Sequence, residues 1–260
     1  MINKNKKRLD VLVLENKLVK NNSRQRAKAL IMAGKILVNG CPCDKYGIKI
    51  NKKAKITLKG NDIPFVSKGG LKLAHALKNI SCNVKGLICL DIGASTGGFT
   101  DCLLQNNAKK IYAVDVGYGQ IAWSIRQNKK VKVIERTNIR YMDFNIIGEK
   151  VDLITIDTSF ISLKLVVPAA EKFMKNKTKV LALIKPQFEA GKKRIGKNGV
   201  VKDPEIRKEI IKEIKYFFKQ RNYEIKNIIP YPVPGPKGNM ESIIYLRYLK
   251  QDKQKHVKEL

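Results

Sequence analysis

Four short apolar runs in this chain each end in an ionisable residue. Residues 87–90 run into Asp91, 111–114 into Asp115, 151–156 into Asp157 and 179–184 into Lys185. Lys72 precedes the first run, and Glu241 stands directly before a last one, residues 242–249. Carboxylates and ammonium groups brought to one edge can take up, hold or return a proton during a group transfer. Asp91 also opens the pattern D-x-G-x-S-x-G-G, in which Gly93, Ser95, Gly97 and Gly98 are separated only by small residues. Such a turn lets backbone approach a ligand closely. It is not the G-x-G-x-x-G of dinucleotide folds, nor a P-loop, since no Gly-Lys-Ser/Thr follows. Asp115 lies 24 residues beyond Asp91, at the next strand tip, where a carboxylate can accept both hydroxyls of a ribose. A nucleoside-bearing cofactor without a pyrophosphate cradle points to S-adenosylmethionine rather than NAD, its methionine part passing the glycine turn.

The residues after Asp157 narrow the acceptor. They are Thr158-Ser159-Phe160, not the Pro-Pro-Tyr that holds an exocyclic amine for methylation. A methyltransferase acting on a base carbon needs a Pro-Cys nucleophile after the same strand. The chain's one Pro-Cys, Pro42-Cys43, lies far upstream. What remains is a poor nucleophile that must lose its proton to positioned lysine and aspartate, a hydroxyl.

These residues need strands that share one edge. Runs at 87–90, 111–114, 131–134, 151–156 and 179–184 read as buried strands. Helical stretches at 99–107, 120–128, 163–175 and 204–220 alternate with them. That alternation predicts an α/β fold, a parallel sheet flanked on both sides by helices. A further helix over 69–79 carries Lys72, and residues 242–249 close the sheet. Ligands of such sheets bind at the carboxyl ends of the strands.

Charge separates the chain into two parts. Lysine and arginine number 53 against 22 acids, a net charge of +31, which calls for a polyanionic partner. Residues 1–60 hold 16 of the cations and only 3 acids. Within them, Leu9, Leu12 and Val13 mark one helix, and Ser23 caps a second over 24–33, stopped by Gly34. Strands follow at 36–38 and 54–58, with Asn39-Gly40 as a tight turn. The expected organisation is a small α+β RNA-binding domain at 1–60, a linker at 61–66, a catalytic domain at 67–250 and a solvated tail at 251–260.

The ordered pattern R-L-D, S-R, G-K-I-L-V-N-G makes the first part resemble the S4-type RNA-binding domain. That likeness implies Arg8, Arg24, Arg26, Lys28 and Lys35 as RNA contacts. The rest resembles the TlyA family, whose members are named both hemolysins and ribosomal RNA 2′-O-methyltransferases, with a catalytic half of the FtsJ type. The stretches that carry this are SKGGLKL (67–73), LDIGASTGGFTDCLLQ (90–105), VDVGYGQIAW (114–123), ERTNIRYM (135–142), SFISL (159–163), IKPQFEAG (184–191) and GPKGNMES (235–242). The resemblance implies a Rossmann-like S-adenosylmethionine-dependent sheet and a Lys-Asp-Lys-Glu catalytic set, which falls on Lys72, Asp157, Lys185 and Glu241. It also implies cofactor contacts at Asp91, Gly93, Ser95, Gly97, Gly98, Phe99, Asp115, Val116, Asn138 and Asp157. The implied substrate is ribosomal RNA, as cytidine in assembled ribosomal subunits. Thr158 departs from the smaller or apolar residue of many relatives.

Two other classes are disfavoured. A membrane-active hemolysin needs an apolar or amphipathic insertion element, and the longest apolar runs fall far short of the roughly 20 residues that span a bilayer. A non-catalytic RNA-binding protein would not keep all four catalytic positions filled. No secretory leader is expected from the basic, run-free start. Five cysteines in no framework fit a reducing cytoplasm, and Cys41 and Cys43 lack the second pair that a metal site requires.

Overall fold

The computed structural model describes residues 5–19, 23–60, 63–191, 194–235 and 237–250. The expected tail at 251–260 lies outside them, as do Asn61 and Asp62 of the expected linker. The chain forms two compact units, residues 1–64 and 65–260.

In the first unit, β1 (Lys6–Arg8) leads into α1 (Leu9–Glu15), and α2 (Arg24–Met32) follows. The Ser23 hydroxyl accepts the Arg26 N–H at 3.2 Å and caps α2. β2 (Ile36–Val38) pairs with β3 (Cys41–Pro42) and β5 (Ile56–Leu58), and β4 (Lys49–Asn51) pairs with β1. Asn39 and Gly40 both adopt positive φ between β2 and β3, the geometry of a tight hairpin turn. Leu9, Leu12, Val13, Ala27, Ile31 and Ile36 form the core.

A charge sits inside this small core. Asp10 has no solvent exposure, and a buried carboxylate is tolerable only when paired and hydrogen-bonded. Arg8 donates to it from Nε and Nη2 at 3.0 and 3.1 Å, and Arg24 donates from Nε at 3.0 Å. The Arg8 hydrogen bonds, with those of Arg24, hold the Asp10 carboxyl below its ordinary range.

The second unit is a seven-stranded sheet. Its strands are β6 (Ile88–Ile92), β7 (Lys110–Val114), β8 (Val131–Ile134), β9 (Val151–Ile156), β10 (Met174–Ile184), β11 (Tyr223–Pro230) and β12 (Ser242–Tyr248). Their order is β11-β12-β10-β9-β6-β7-β8. β6 to β10 are parallel, while β12 is antiparallel to β10 and β11 to β12. The helices are α3 (Gly69–Asn79), α4 (Gly98–Gln105), α5 (Trp123–Arg126), α6 (Leu163–Ala170), α7 (Pro186–Glu189) and α8 (Pro204–Lys219). Leu90, Ile92, Ile154 and Ile156 pack in one core with Val166 and Val167 of α6 and Ile210 and Ile214 of α8. Asp91 and Thr155 alternate to the other face, where Asp91 meets Thr100 of α4. Both faces are covered, which is why the central strands read as near-continuous apolar runs. Chain order reverses between β6 and β9, and a crevice outside their carboxyl ends is the binding place of such sheets.

The first unit adds the short strands β1, β3 and β4 to the two expected there, and in the second unit several boundaries depart from expectation. The helix expected over 120–128 shrinks to α5, because Ala122 is extended and its N–H bonds to Thr96 O at 3.1 Å. The helix expected to Lys175 ends at Ala170, two residues beyond Pro168, and gives way to a 3-10 turn over Glu171–Phe173. β10 therefore starts at Met174, with a register shift before Lys179. β11 has no counterpart among the expected strands, because an edge strand exposes polar residues such as Lys226 and Asn227 along one side. No helix among the described residues is long and apolar enough to cross a membrane.

Asp10→Asn should lower the stability of the first unit by about 2 kcal/mol, since two guanidinium groups lose their charged acceptor. Because the folded carboxyl titrates below the unfolded one, its contribution is complete above about pH 4 and is lost as pH falls through the folded value. Hydrogen exchange at residues 27–31 of wild type and variant, at neutral and acid pH, checks both parts; a gap that widens on acidification would contradict them.

Candidate active site

The site is built on contact between two strand tips. β6 ends at Ile92, and Gly93 turns the chain with φ +82. A Cβ at Gly93 would stand 2.6 Å from the Asp157 carbonyl oxygen, just past the end of β9. Only glycine fits there. Gly97, at φ +92, occupies the left-handed position directly ahead of α4.

A cavity of about 520 Å³ opens beside this contact, within the range of small-molecule sites. Gly93, Ser95, Asp115, Val116, Asn138 and Asp157 line it, as the cofactor reading expected. The Asp115 carboxylate accepts the Ser95 N–H from one loop and the Gly117 N–H from the next, each at 2.7 Å. A carboxylate offers about four acceptor positions, so Asp115 ties the two loops together and keeps capacity toward the cavity. The buried Thr158 hydroxyl lines the same space with no hydrogen-bond partner among the described residues. Glycine at the turn, an acid at the second tip and an orphaned hydroxyl fit a nucleoside-bearing methyl donor.

Four expected cofactor contacts do not reach this cavity. Asp91 is fully buried, accepting the Thr100 hydroxyl at 2.6 Å and the Thr155 hydroxyl at 2.9 Å. It anchors the strand end beneath the turn instead. Gly97 faces Ile125. Gly98 serves helix packing: a Cβ there would lie 2.2 Å from Ser67 Oγ and 2.9 Å from Gly70 N. Phe99 is buried beside Gly69. All four hold the turn against its neighbours.

A second cavity, of about 470 Å³, shares Asp157, Ser159 and Phe160 with the first. It contains the four expected catalytic residues, drawn from four separate segments. Lys185 directly follows β10 in an extended conformation, φ −109 and ψ 103, as favoured for a residue before proline. Its Nζ lies 2.6 Å from Asp157 Oδ1 as an ion pair, and it donates to Ser159 Oγ at 3.0 Å. Lys72, on α3, donates to Glu241 Oε2 at 2.5 Å across 169 residues of sequence. Glu241 is 3% exposed, and Gly235 leaves it room, because a Cβ there would approach Glu241 Oε1 to 2.8 Å. The cavities thus meet at a lysine–aspartate pair, a geometry suited to handling a proton where two ligands adjoin.

Several lining residues carry no signal in the sequence beyond their neighbours. Asn239 is buried, accepts the Val201 N–H and donates to Gly199 O, each at 2.9 Å, and so joins the loops walling the second cavity. The Gln187 side-chain oxygen is buried without a partner among the described residues. Phe160 is 88% exposed at φ +64, tilted over Phe188 at 5.1 Å. Adjacency to Asp157, Lys185 and Glu241 is all that marks them. In the first unit, Arg8 and Arg24 are turned onto Asp10 and Lys28 lies 5.0 Å over the Tyr46 ring, while Arg26 and Lys35 are half-buried.

Comparison with known proteins agrees with this geometry. The FtsJ-like methyltransferase family matches residues 65–248, and the S4 domain matches residues 7–56. A Bacillus subtilis protein provisionally named an rRNA methyltransferase, YqxC, is 45% identical over 94% of this chain and 86% of its own. The Mycobacterium tuberculosis 16S/23S rRNA (cytidine-2′-O)-methyltransferase TlyA is 41% identical over 86% of this chain and 84% of its own. A solved structure from Streptococcus thermophilus, provisionally called a hemolysin, superposes with a TM-score of 0.72 at 40% identity, covering 94% of this chain and 89% of that one.

Burial pushes the Asp91 carboxyl up to about 6, against the opposing pull of the Thr100 and Thr155 hydroxyls. The folded protein therefore holds this proton to higher pH than the unfolded chain does, and its contribution raises stability as pH falls from about 6 toward 4. A ¹³C-carboxyl NMR titration should place the midpoint near 6; a midpoint at an ordinary aspartate value would refute the assignment. Urea unfolding of Asp91→Asn should lack that segment of the pH dependence.

Proposed function

The chain belongs to the FtsJ-like methyltransferase family, in its TlyA branch, and on that premise we propose that it methylates a ribose 2′-hydroxyl of ribosomal RNA. The observation that carries this reading is the junction of two cavities at Lys185 and Asp157, with Lys72 and Glu241 completing the second. The first cavity would hold S-adenosylmethionine, with Gly93 passing its methionine part and Asp115 its ribose. When bound, that cofactor supplies an electrophilic methyl group on a sulfonium.

The second cavity would take the target nucleotide, a cytidine by the naming of the Mycobacterium relative. Lys185, in its neutral form, accepts the 2′-hydroxyl proton as the oxygen attacks the methyl carbon, and the ammonium so formed stays beside the Asp157 carboxylate. Asp157 and Ser159 fix the direction of its amine. The Lys72–Glu241 pair lines the same cavity, and its burial keeps bulk water from competing for the ribose. Aligning the attacking oxygen with the methyl group is a task of positioning, which rigid strand tips perform better than loops. The basic first unit supplies phosphate attraction, and the work takes place in the cytoplasm, on ribosomal subunits. A non-catalytic RNA binder would have no need of four ionisable groups assembled from four segments.

Lys185→Ala should lower methyl transfer about 10²–10⁴-fold, the range of a positioned acid–base group, with cofactor and RNA affinity nearly unchanged. Lys185→Arg should fare little better, because guanidinium stays protonated and cannot act as a base. Tritiated methyl incorporation into unmodified ribosomal subunits measures this. Near-normal turnover in the arginine chain would leave Lys185 an electrostatic support and send the search for the base elsewhere.

Asp115→Ala should weaken cofactor binding while the sheet stays folded. Calorimetric titration is the check, and an unchanged affinity in a folded variant would remove Asp115 from the cofactor site. Mapping 2′-O-methylated nucleotides in ribosomal RNA, with and without the protein, tests the reaction as a whole.

A further inference from the structure

The loops that rim the first cavity carry aromatic side chains that the reaction does not use. Tyr118 is 67% exposed, Tyr141 76% and Trp123 59%. All three stand on the segments that follow β7 and β8 at the carboxyl edge of the sheet. Exposed large aromatics are ordinary when scattered, but grouped beside a site they mark a contact surface.

The segments are fixed to one another. Arg136 N–H donates to Gly117 O at 3.0 Å, and Thr137 N–H to Asp115 O at 2.9 Å. Glu135 accepts the Gly119 N–H at 2.8 Å while paired with Arg126 at 2.7 Å. The backbone segments that carry the rings are thus braced against one another.

Each tyrosine also carries a cation. The Arg136 guanidinium lies 4.1 Å over the Tyr118 ring, and Arg140 lies 5.2 Å over Tyr141. Among the described residues neither arginine has a carboxylate partner. Of the acids nearby, Glu135 is paired with Arg126, and Asp115 and Asp143 accept backbone N–H groups without pairing with either arginine among the described residues. The rim therefore presents exposed rings, each tyrosine with one face under a guanidinium, and two arginines without a carboxylate partner among the described residues. Unpaired RNA offers the complement of both, bases to stack and phosphates to attract. Duplex RNA offers only the phosphates.

We propose that Tyr118, Tyr141 and Trp123, with Arg136 and Arg140, form a stacking platform on the catalytic unit for unpaired RNA flanking the target nucleotide. This rests on the reading of the chain as an RNA methyltransferase and adds to it the strandedness of the substrate. It also gives the catalytic unit a hold on RNA independent of the basic first unit.

Trp123 is the chain's single tryptophan, so its fluorescence reports on this surface alone. The full-length protein, without cofactor and at about 0.2 M salt to weaken phosphate attraction, is titrated with a short unstructured RNA, with the same RNA annealed to its complement, and with polyglutamate. The single strand should quench Trp123 emission, and the duplex and polyglutamate should not. Tyr118→Ala combined with Tyr141→Ala should raise the single-strand dissociation constant about 10-fold or more, with the salt slope kept. The Phe pair should bind like wild type. Arg136→Gln with Arg140→Gln should flatten the log–log salt slope by roughly 0.7 for each phosphate that the two arginines neutralise in the wild type.

Cofactor titration serves as the folding control. Unchanged RNA affinity in the alanine chain, or a response to polyglutamate equal to that to RNA, would overturn the proposal. A chain that stacks RNA here but transfers no methyl would sink the enzymatic reading and leave the platform standing. Normal transfer with normal RNA affinity in the alanine chain would do the reverse.

Discussion

The catalytic unit depends on one close approach. Where the sheet order reverses, the turn after β6 meets the end of β9 with no room for a side chain, 2.6 Å from a would-be Cβ at Gly93 to the Asp157 carbonyl. Asp91 secures the turn from below, its two oxygens shared by α4 and β9 through Thr100 and Thr155. Gly98 secures it from the side by letting α4 reach the start of α3. Past that contact, Asp157, Ser159 and Phe160 stand between two cavities of the crevice and line both. Asp157 is the common wall, so whatever binds on one side must meet whatever binds on the other at that residue.

The charges gathered there are not explained by stability. Taking an ammonium and a carboxylate out of water costs several kcal/mol each, and pairing them recovers that cost only with good geometry. Lys185 with Asp157 and Lys72 with Glu241 are two such pairs, side by side, with Glu241 almost wholly buried. An apolar replacement of similar shape would suit the fold as well. Retaining charge at a cavity wall makes sense if a bound group completes the electrostatics, as the developing charge of a transferred proton would.

Much of this is legible in the sequence because strand tips announce themselves. Buried parallel strands are near-continuous apolar runs, so the first polar residue after each one marks the binding edge, and Asp115, Asp157 and Lys185 stand out that way. Asp91 obeys the same rule and misleads. The adjacent Ile92 lines the cavity, while the strand alternation sends Asp91 to the opposite face, where the Thr100 and Thr155 hydroxyls hold it. Sequence period two contains that information, but not which face the cofactor takes. Asn239 and Gln187 have no comparable signal. They act through loops whose ends meet only in three dimensions, and a polar residue in a loop looks like any other. β11 stays hidden for a related reason, since an edge strand shows water one side and loses the apolar pattern that betrays a central one.

The same logic distinguishes among the many cations of this chain. With 53 lysines and arginines, attraction to a polyanion is assured, but attraction of that kind is non-directional and fades with salt. A few cations are different, because a buried or half-buried carboxylate holds each in one orientation. Asp10 aims Arg8 and Arg24, Asp157 aims Lys185, and Glu241 aims Lys72. A side chain already immobilised loses less conformational freedom when it engages a ligand, and it engages in one direction only. The surplus of positive charge makes a field that any polyanion feels, and the oriented cations add direction to it.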